Sequence, residues 1–216
     1  MALKNEGDER LFSREEWIEE QEIQGSPELV FNSPLMNNAQ ERILEQFTPR
    51  HPIALVSWCT TSRPYTKSPK WKTFIKELSG VDFLVASNAG IIPLEYEGAY
   101  PYLTYDAHHE REFDELFLIY MTRFFIRFFT LKQYDYVIIN SSPNQRQRKR
   151  KASLMAGRWL KKRNHIRDFE VCPSPEVYGR AKFNTMFNQM FPDIEATVLG
   201  DMKTKIAVYQ DLLERD

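Results

Sequence analysis

Short continuous apolar segments that alternate with helical segments constrain the fold of this chain more than any other feature. Three such segments have the pattern of strands buried on both faces; they are residues 53–57, 81–86 and 134–140. Helical periodicity predicts helices between them, at 71–78 and 110–130. This order predicts an α/β fold of three layers, a mostly parallel sheet with helices on both faces.

The rest of the chain predicts further elements and a division into two parts. Helices are predicted at 38–47, 175–190 and 201–214, a strand at 194–199, and a basic loop entering a helix at 146–163. Ser13 and Glu16 have the spacing of a capping box, which predicts a short helix through Glu22. We predict an acidic N-terminal extension at 1–35 and a single α/β catalytic domain at 36–216.

Composition and cysteine usage exclude several classes of protein. No apolar run approaches the roughly 20 residues that span a bilayer, and the first ten residues lack the apolar stretch of a signal peptide. Two cysteines cannot make a disulfide framework, and the four histidines lack a zinc-finger spacing. We expect a cytoplasmic protein, or a viral one acting in a host cytoplasm, with no metal, no cofactor and no membrane partner.

The carboxyl ends of the predicted strands select candidate binding residues, because ligands of open parallel sheets bind in the crevice beyond those ends. Small or polar residues follow each strand. They are Ser57, Trp58 and Cys59 after the first, Ser87, Asn88 and Gly90 after the second, and Asn140, Ser141 and Ser142 after the third. Gly90 would let a flat ligand approach the backbone, although a simple turn explains Asn88 and Gly90 equally well.

Cys59 is the candidate nucleophile of this edge. Arg63 and two lysines follow it, and nearby cations lower the pKa of a thiol toward the reactive thiolate. Tyr65 and Ser68 add hydroxyl groups in a segment that two prolines stiffen. The alternative interpretation is an inert buried cysteine, because cysteine is among the most buried residue types.

Charge is distributed unevenly along the chain. Residues 1–28 hold nine acidic and three basic side chains, whereas residues 146–167 hold ten Lys or Arg and no Asp or Glu. Such a block gains affinity for polyanions by releasing counterions, which predicts contact with a phosphate backbone. A nuclear-localisation-like or merely solvated stretch is the alternative. The residues predicted to contact nucleic acid are Arg146, Arg148, Lys149, Arg150, Lys151, Arg158, Lys161 and Lys162.

Two segments together resemble archaeosine synthase, a paralogue of tRNA-guanine transglycosylase. The first contains Cys59, Arg63-Pro64-Tyr65, Ser68 and Trp71. It is similar to that family's signature of a cysteine, three residues, Lys-Pro-Tyr, two residues, Ser, two residues and His. The second, residues 87–106, is similar to the family's Gly-hydrophobic-hydrophobic-Pro-Arg-Glu-Leu-Glu segment and its later Tyr-Pro and Tyr-Asp pairs. The resemblance covers roughly residues 50–145, with Arg63, Trp71 and Leu94 standing where the family has Lys, His and Arg.

The resemblance implies an amidine-forming transferase that acts on a 7-deazaguanine base in DNA or tRNA. Its reaction would add an amine such as lysine to the nitrile of 7-cyano-7-deazaguanine. The implied partners are nucleic acid, a small amine donor and a transglycosylase or second modifying enzyme. The catalytic candidates are Cys59, Tyr65, Ser68, Glu95 and Asp106. The substrate-binding candidates are Ser57, Arg63, Ser87, Asn88, Gly90, Glu97 and Asn140.

Residue types suggest roles for these candidates and leave alternatives open. Cys59 could attack the nitrile or only orient it, and Tyr65, Ser68 or backbone N–H groups could stabilise the developing nitrogen. A carboxylate would hold and deprotonate the amine. An N-glycosylase-like enzyme and a non-catalytic nucleic-acid-binding subunit are the competing interpretations, and the absence of His at position 71 leaves room for the second.

Overall fold

A five-stranded sheet organises the structure, a computed structural model that describes residues 7–17, 24–25, 27–60, 62–103, 105–107, 114–141, 147–174, 176–177 and 193–215. The strands are β1 (Gln24–Gly25), β2 (Ile53–Trp58), β3 (Asp82–Ser87), β4 (Gly90–Pro93), β5 (Asp106–Ala107), β6 (Tyr136–Asn140) and β7 (Asp168–Cys172). The order across the large sheet is β4-β3-β2-β6-β7, and β4 is antiparallel to β3 while the other pairs are parallel. β1 and β5 form a separate short parallel pair.

Helices cover one face of this sheet through aromatic contacts. The described helices are α1 (Pro27–Asn32), α2 (Pro34–Gln46), α3 (Pro69–Glu77), α4 (Asp114–Leu131), α5 (Gln147–Lys162) and α6 (Asp193–Arg215). Trp71 of α3 meets Phe83 of β3 at 6.4 Å between ring centroids. Tyr209 of α6 stacks on Tyr136 of β6 at 4.2 Å. In the paired register Phe83 stands opposite Leu55 and Tyr136 opposite Ile53, so both rings project from the same face.

The opposite face carries α4 and α5. Trp58 of β2 contacts Phe117 and Phe125 of α4, with ring centroids 5.9 and 6.0 Å apart. Gly157 of α5 lies against the ring of Phe169 in β7, so closely that an added Cβ would come within 2.3 Å of it. Helices therefore cover both faces of a mostly parallel sheet, and the predicted three-layer α/β fold is confirmed.

The chain leaves β2 and β6, which are neighbours, toward opposite faces. β2 is followed by α3 on one face, whereas β6 is followed by α5 on the other. In doubly wound folds, ligands bind at the carboxyl ends of two neighbouring strands whose connections leave toward opposite faces. We therefore expect a binding site at the carboxyl ends of β2 and β6.

Most predicted elements match the structure, and three differences have clear physical reasons. The strand predicted at 194–199 is wrong, because these residues lie inside α6 and its buried Val198, Met202, Ile206 and Tyr209 recur at helical spacing. β4 and β7 were not predicted. β4 is only four residues long and ends in proline, and β7 has a half-buried pattern rather than a continuous apolar one.

The described part of the predicted N-terminal extension packs on the domain. Leu11 and Phe12 are buried, and Trp17 stacks on Tyr100 at 4.6 Å. The predicted capping box forms, with the Ser13 N–H donating to the Glu16 carboxylate at 2.9 Å, but the helix is a single 3-10 turn that ends at Glu16.

Two further expectations concern whole helices. Of the helix predicted at 175–190, only residues 176 and 177 are described, and the rest lies outside the described residues. No helix among the described residues is long and apolar enough to cross a membrane.

Candidate functional site

The carboxyl edge of the sheet brings together three residues that the strand pattern selected. Ser57 and Asn140 are partners in the β2–β6 register, and the Asn140 Nδ2 donates to the Ser57 Oγ at 3.1 Å. The half-buried Cys59 follows β2, and its N–H donates to the Ala86 carbonyl at 2.8 Å. This bond extends the β2–β3 ladder by one residue, so Cys59 lies at the rim beside the end of β3.

A pair of buried tyrosines joins the two segments that carry the resemblance. The hydroxyl oxygens of Tyr65 and Tyr105 are 2.9 Å apart. The Arg63 guanidinium lies over both rings, 5.3 Å from the centroid of Tyr65 and 4.3 Å from that of Tyr105. The Ser87 hydroxyl lies near Tyr105 and acts to lower the pKa of that tyrosine. Five residues from two motifs, Cys59 included, therefore form one cluster.

Electrostatics keep the tyrosine pair protonated. Burial raises the pKa of Tyr65 and of Tyr105, and charge on Cys59 raises the pKa of both further, while the Arg63 cation opposes the rise. Cys59 is thus close enough to influence both phenols. At neutral pH both tyrosines are protonated, so the pair can donate hydrogen bonds near Cys59.

Two predicted functional side chains hold the loop that carries Tyr65. The Ser68 Oγ caps α3 by accepting from the Trp71 N–H at 3.4 Å. The Glu97 carboxylate accepts from the backbone N–H of Thr66 at 2.9 Å and also from the Thr66 hydroxyl. Ser68 fixes the end of the loop to α3 and Glu97 holds the residue after Tyr65, so both residues position Tyr65 in this structure. Trp71 itself is fully buried.

Asn88 and Gly90 form the tight turn between β3 and β4. Gly90 has a φ of +109°, and an added Cβ would lie 2.3 Å from the Gln40 Oε1. That oxygen accepts from the Ile91 N–H at 3.1 Å, while the Gln40 Nε2 donates to the Tyr102 hydroxyl at 2.6 Å. The close approach that glycine permits is therefore to Gln40. Asn88 lies half-buried in this turn.

The structure places Glu95, one of the catalytic carboxylate candidates, away from Cys59. Glu95 lies beside the amino end of β3 and forms an ion pair with Arg50. A cleft of about 190 Å³ lies there, lined in part by Asp82 and Glu95. Asp106 directly follows Tyr105 and pairs with Gln24 in the short β1–β5 ladder; its side chain lies outside the described residues.

The basic block divides into an inward and an outward set. Arg148 is buried with its guanidinium 5.0 Å from the centroid of Phe117, and burial lowers the pKa of Arg148. The Lys149 Nζ lies 4.9 Å from the Trp58 ring centroid, and Arg150 donates to the carbonyl of Pro173 at 3.2 Å. The exposed set is Lys151, Arg158, Lys161 and Lys162, of which Lys161 pairs with Asp168 at 2.6 Å. Arg146 lies outside the described residues.

Several polar atoms at the carboxyl edge are buried and unsatisfied. Within the described ranges, Trp58 Nε1, Asn140 Oδ1 and Ser141 Oγ have no hydrogen-bond partner. The strand pattern placed these residues at the rim, but only the structure shows their unused hydrogen-bonding groups. No group of three His, Cys, Asp or Glu side chains that could hold a metal ion occurs among the described residues.

Comparison with known proteins identifies the family. A family model described as a domain of unknown function (DUF5591) matches residues 36–160. No curated protein matches the chain. It is similar at 17% identity and a TM-score of 0.46 to the crystal structure of AF0587, a protein of unknown function. That match covers 76% of this chain and 54% of the other, so this chain spans about half of that protein's length.

The family match contains the whole cluster described above. It includes Cys59, both tyrosines of the pair, and the start of α5. Because it covers more than half of the 216 residues, the chain belongs to the DUF5591 family.

Proposed function

We propose that the protein modifies a 7-deazaguanine base in nucleic acid by adding an amine such as lysine to the nitrile of 7-cyano-7-deazaguanine. One observation carries this proposal. The two segments that resemble archaeosine synthase are separate in sequence. In the structure they are joined by the hydrogen bond between the Tyr65 and Tyr105 hydroxyls, near Cys59. A nitrile-consuming reaction needs a nucleophile and a donor for the new nitrogen anion, and this cluster offers both.

The reaction follows from the groups present. The Cys59 thiolate attacks the nitrile carbon, so that an S–C bond forms and one C–N π bond breaks. The nitrogen takes a proton from a phenol of the tyrosine pair, which leaves a thioimidate and a phenolate. The amine then adds to the same carbon and returns a proton to the phenolate. Loss of the thiolate gives the amidine and regenerates Cys59.

The raised pKa of the phenols suits this role. A phenol with a raised pKa stays protonated until the thiolate has attacked the nitrile. It can then donate its proton to the strongly basic nitrogen anion that forms. Arg63 lies over both rings and favours negative charge on either oxygen. Asp106, the residue after Tyr105, is the carboxylate that we propose to hold the amine.

Nucleic acid would reach this edge along the exposed part of α5. Lys151, Arg158 and Lys162 lie on the solvent side of the helix and are suited to phosphate-backbone contacts. A target base in a duplex would have to leave its stack to enter the crevice.

Nucleoside mass spectrometry tests the proposal. DNA and tRNA from cells with and without the protein are digested and compared, and the expected result is a deazaguanine nucleoside whose mass has increased by one amine. Abasic sites would instead indicate a glycosylase, and salt-sensitive binding without any product would indicate a binding subunit; either result overturns the proposal.

The two cysteines provide a matched pair of variants. Cys59→Ala should reduce product at least about 100-fold, because the covalent step is lost. Cys172→Ala makes the same change at a buried thiol whose pKa is raised by burial, at the end of β7, and should keep activity within a few fold. Full turnover by Cys59→Ala would remove the covalent step from the mechanism.

A further inference from the structure

The N-terminus of α5 faces the carboxyl edge of the sheet. This 16-residue helix follows β6 and starts on the face that carries Trp58. Its first turn contains Arg148, Lys149 and Arg150 and no acidic residue. Cations at the positive end of a helix dipole are electrostatically unfavourable, and a bound anion would offset this repulsion.

Two of these cations are directed toward the protein rather than into solvent. The Lys149 Nζ lies 4.9 Å from the centroid of the Trp58 ring, and the Arg148 guanidinium lies 5.0 Å from that of Phe117. Phe117 in turn contacts Trp58. The helix start therefore concentrates positive charge above the end of β2.

Unsatisfied polar atoms provide a second, independent observation. Trp58 is fully buried and Ser141 is 1% exposed, and neither the indole Nε1 nor the Ser141 Oγ has a hydrogen-bond partner in the described part of the chain. Ser57 pairs with Asn140, so the next residues, Trp58 and Ser141, project from the face on which α5 lies. Buried donors are normally satisfied, so two beside one cationic helix start indicate a ligand that accepts hydrogen bonds.

We propose that this place binds a phosphate group. A phosphate has enough oxygens to accept from Trp58 Nε1, Ser141 Oγ and the Lys149 ammonium together, and the positive end of the α5 dipole favours its charge. The inference goes beyond the proposed function, because a phosphate can bind here whatever reaction takes place at Cys59. The group can belong to free phosphate, to a mononucleotide or to a nucleic-acid strand, which share this chemistry.

Binding measurements on the whole chain test the site. Inorganic phosphate, guanosine 5′-monophosphate and a short single-stranded oligonucleotide are titrated calorimetrically at fixed ionic strength, with guanosine as the probe that lacks phosphate. All three phosphate probes should bind the wild type and guanosine should not. If the oligonucleotide binds more tightly than the mononucleotide, the bound phosphate belongs to a nucleic-acid strand. If it binds equally or more weakly, the ligand is a free nucleotide or free phosphate.

Lysine variants inside and outside the site distinguish a specific site from a general effect of charge. Lys149→Gln should weaken mononucleotide binding at least about 10-fold, and Lys149→Arg should restore most of it. Lys76→Gln removes an exposed charge near the end of α3, outside the basic block, and should leave binding within about 2-fold. Ser141→Ala should weaken binding several fold and keep the thermal unfolding temperature. Equal losses in Lys149→Gln and Lys76→Gln, no loss in either, or binding of guanosine as tight as that of its monophosphate would overturn the proposal.

Discussion

The polar groups named here at the two edges of the central sheet differ in whether they have hydrogen-bond partners. At the amino edge, the Asp82 Oδ2 accepts from the Arg50 N–H at 2.8 Å, the His51 N–H at 3.3 Å and the Tyr134 hydroxyl at 3.0 Å. Glu95 is paired with Arg50 nearby. At the carboxyl edge, three buried polar atoms have no partner among the described residues.

This difference separates a structural polar cluster from a candidate binding site. The cleft of about 190 Å³ lies at the amino edge, where the named polar groups already bond to one another. Unused hydrogen-bonding groups are costly when buried, so the three at the end of β2 and β6 are a stronger sign of a ligand than this cleft.

Removing Asp82 should have the largest effect on stability. Asp82→Ala deletes an acceptor of three hydrogen bonds and leaves two backbone N–H groups unpaired, so the free energy of unfolding should fall by about 3 kcal/mol. Urea denaturation followed by circular dichroism measures the change. Asp82→Asn, which keeps the size and one acceptor oxygen, should lose less. A loss under about 1 kcal/mol for Asp82→Ala would contradict a structural role for this edge.

The tyrosine pair should make stability depend on alkaline pH. Because the folded pKa of Tyr105 is raised above its ordinary value of 10.0, the unfolded chain releases this proton first as pH rises. The contribution is fully present below pH 10 and is lost above it, at roughly 1.4 kcal/mol per pH unit for each such tyrosine. Tyr105→Phe should make the fall of stability between pH 10 and pH 11 shallower. Unfolding curves at both pH values check this, and identical slopes in the two proteins would refute it.

Replacing either of two serines at the carboxyl edge by alanine removes the same hydroxyl oxygen, but the two variants should differ in their free energy of unfolding. Ser57→Ala breaks the bond from Asn140 and should cost about 1 kcal/mol of the free energy of unfolding. Ser141→Ala removes a buried hydroxyl that has no partner in the described structure, and should change stability by less than about 0.5 kcal/mol or increase it. Paired thermal and urea unfolding measure both. A larger cost for Ser141→Ala would show that its hydroxyl is already satisfied.

Glu95→Gln should have the smallest effect of the four. Its ion pair with Arg50 is solvent-exposed, and such pairs contribute about 0 to 1 kcal/mol. Because Glu95 lies away from Cys59, product formation should stay within about 2-fold of the wild type in the nucleoside assay. A loss of 10-fold or more would place Glu95 in the reaction and break the distinction between the edges.

The amino-acid pattern was sufficient to predict the layers of the fold and the residues at one edge of the sheet. A continuous apolar run is recognisable from neighbouring residues alone, so β2, β3 and β6 and the helices that follow β2 and β6 could be predicted. The residues that end these strands could be placed at one rim because parallel strands share their carboxyl ends. β4 could not be predicted, since a four-residue strand becomes recognisable only through its pairing with β3.

Sequence alone therefore determined that Cys59 follows a buried strand and that its motif resembles a nitrile-modifying family. Only the tertiary structure decided which residues lie near Cys59 and which do not. Hydrogen bonds and burial depend on residues distant in the chain: Tyr105 comes 40 positions after Tyr65 and bonds to it, while Glu95 faces Arg50 at the other edge. The inward turn of Lys149 onto Trp58 depends in the same way on how α5 packs, which no local pattern in a basic stretch specifies.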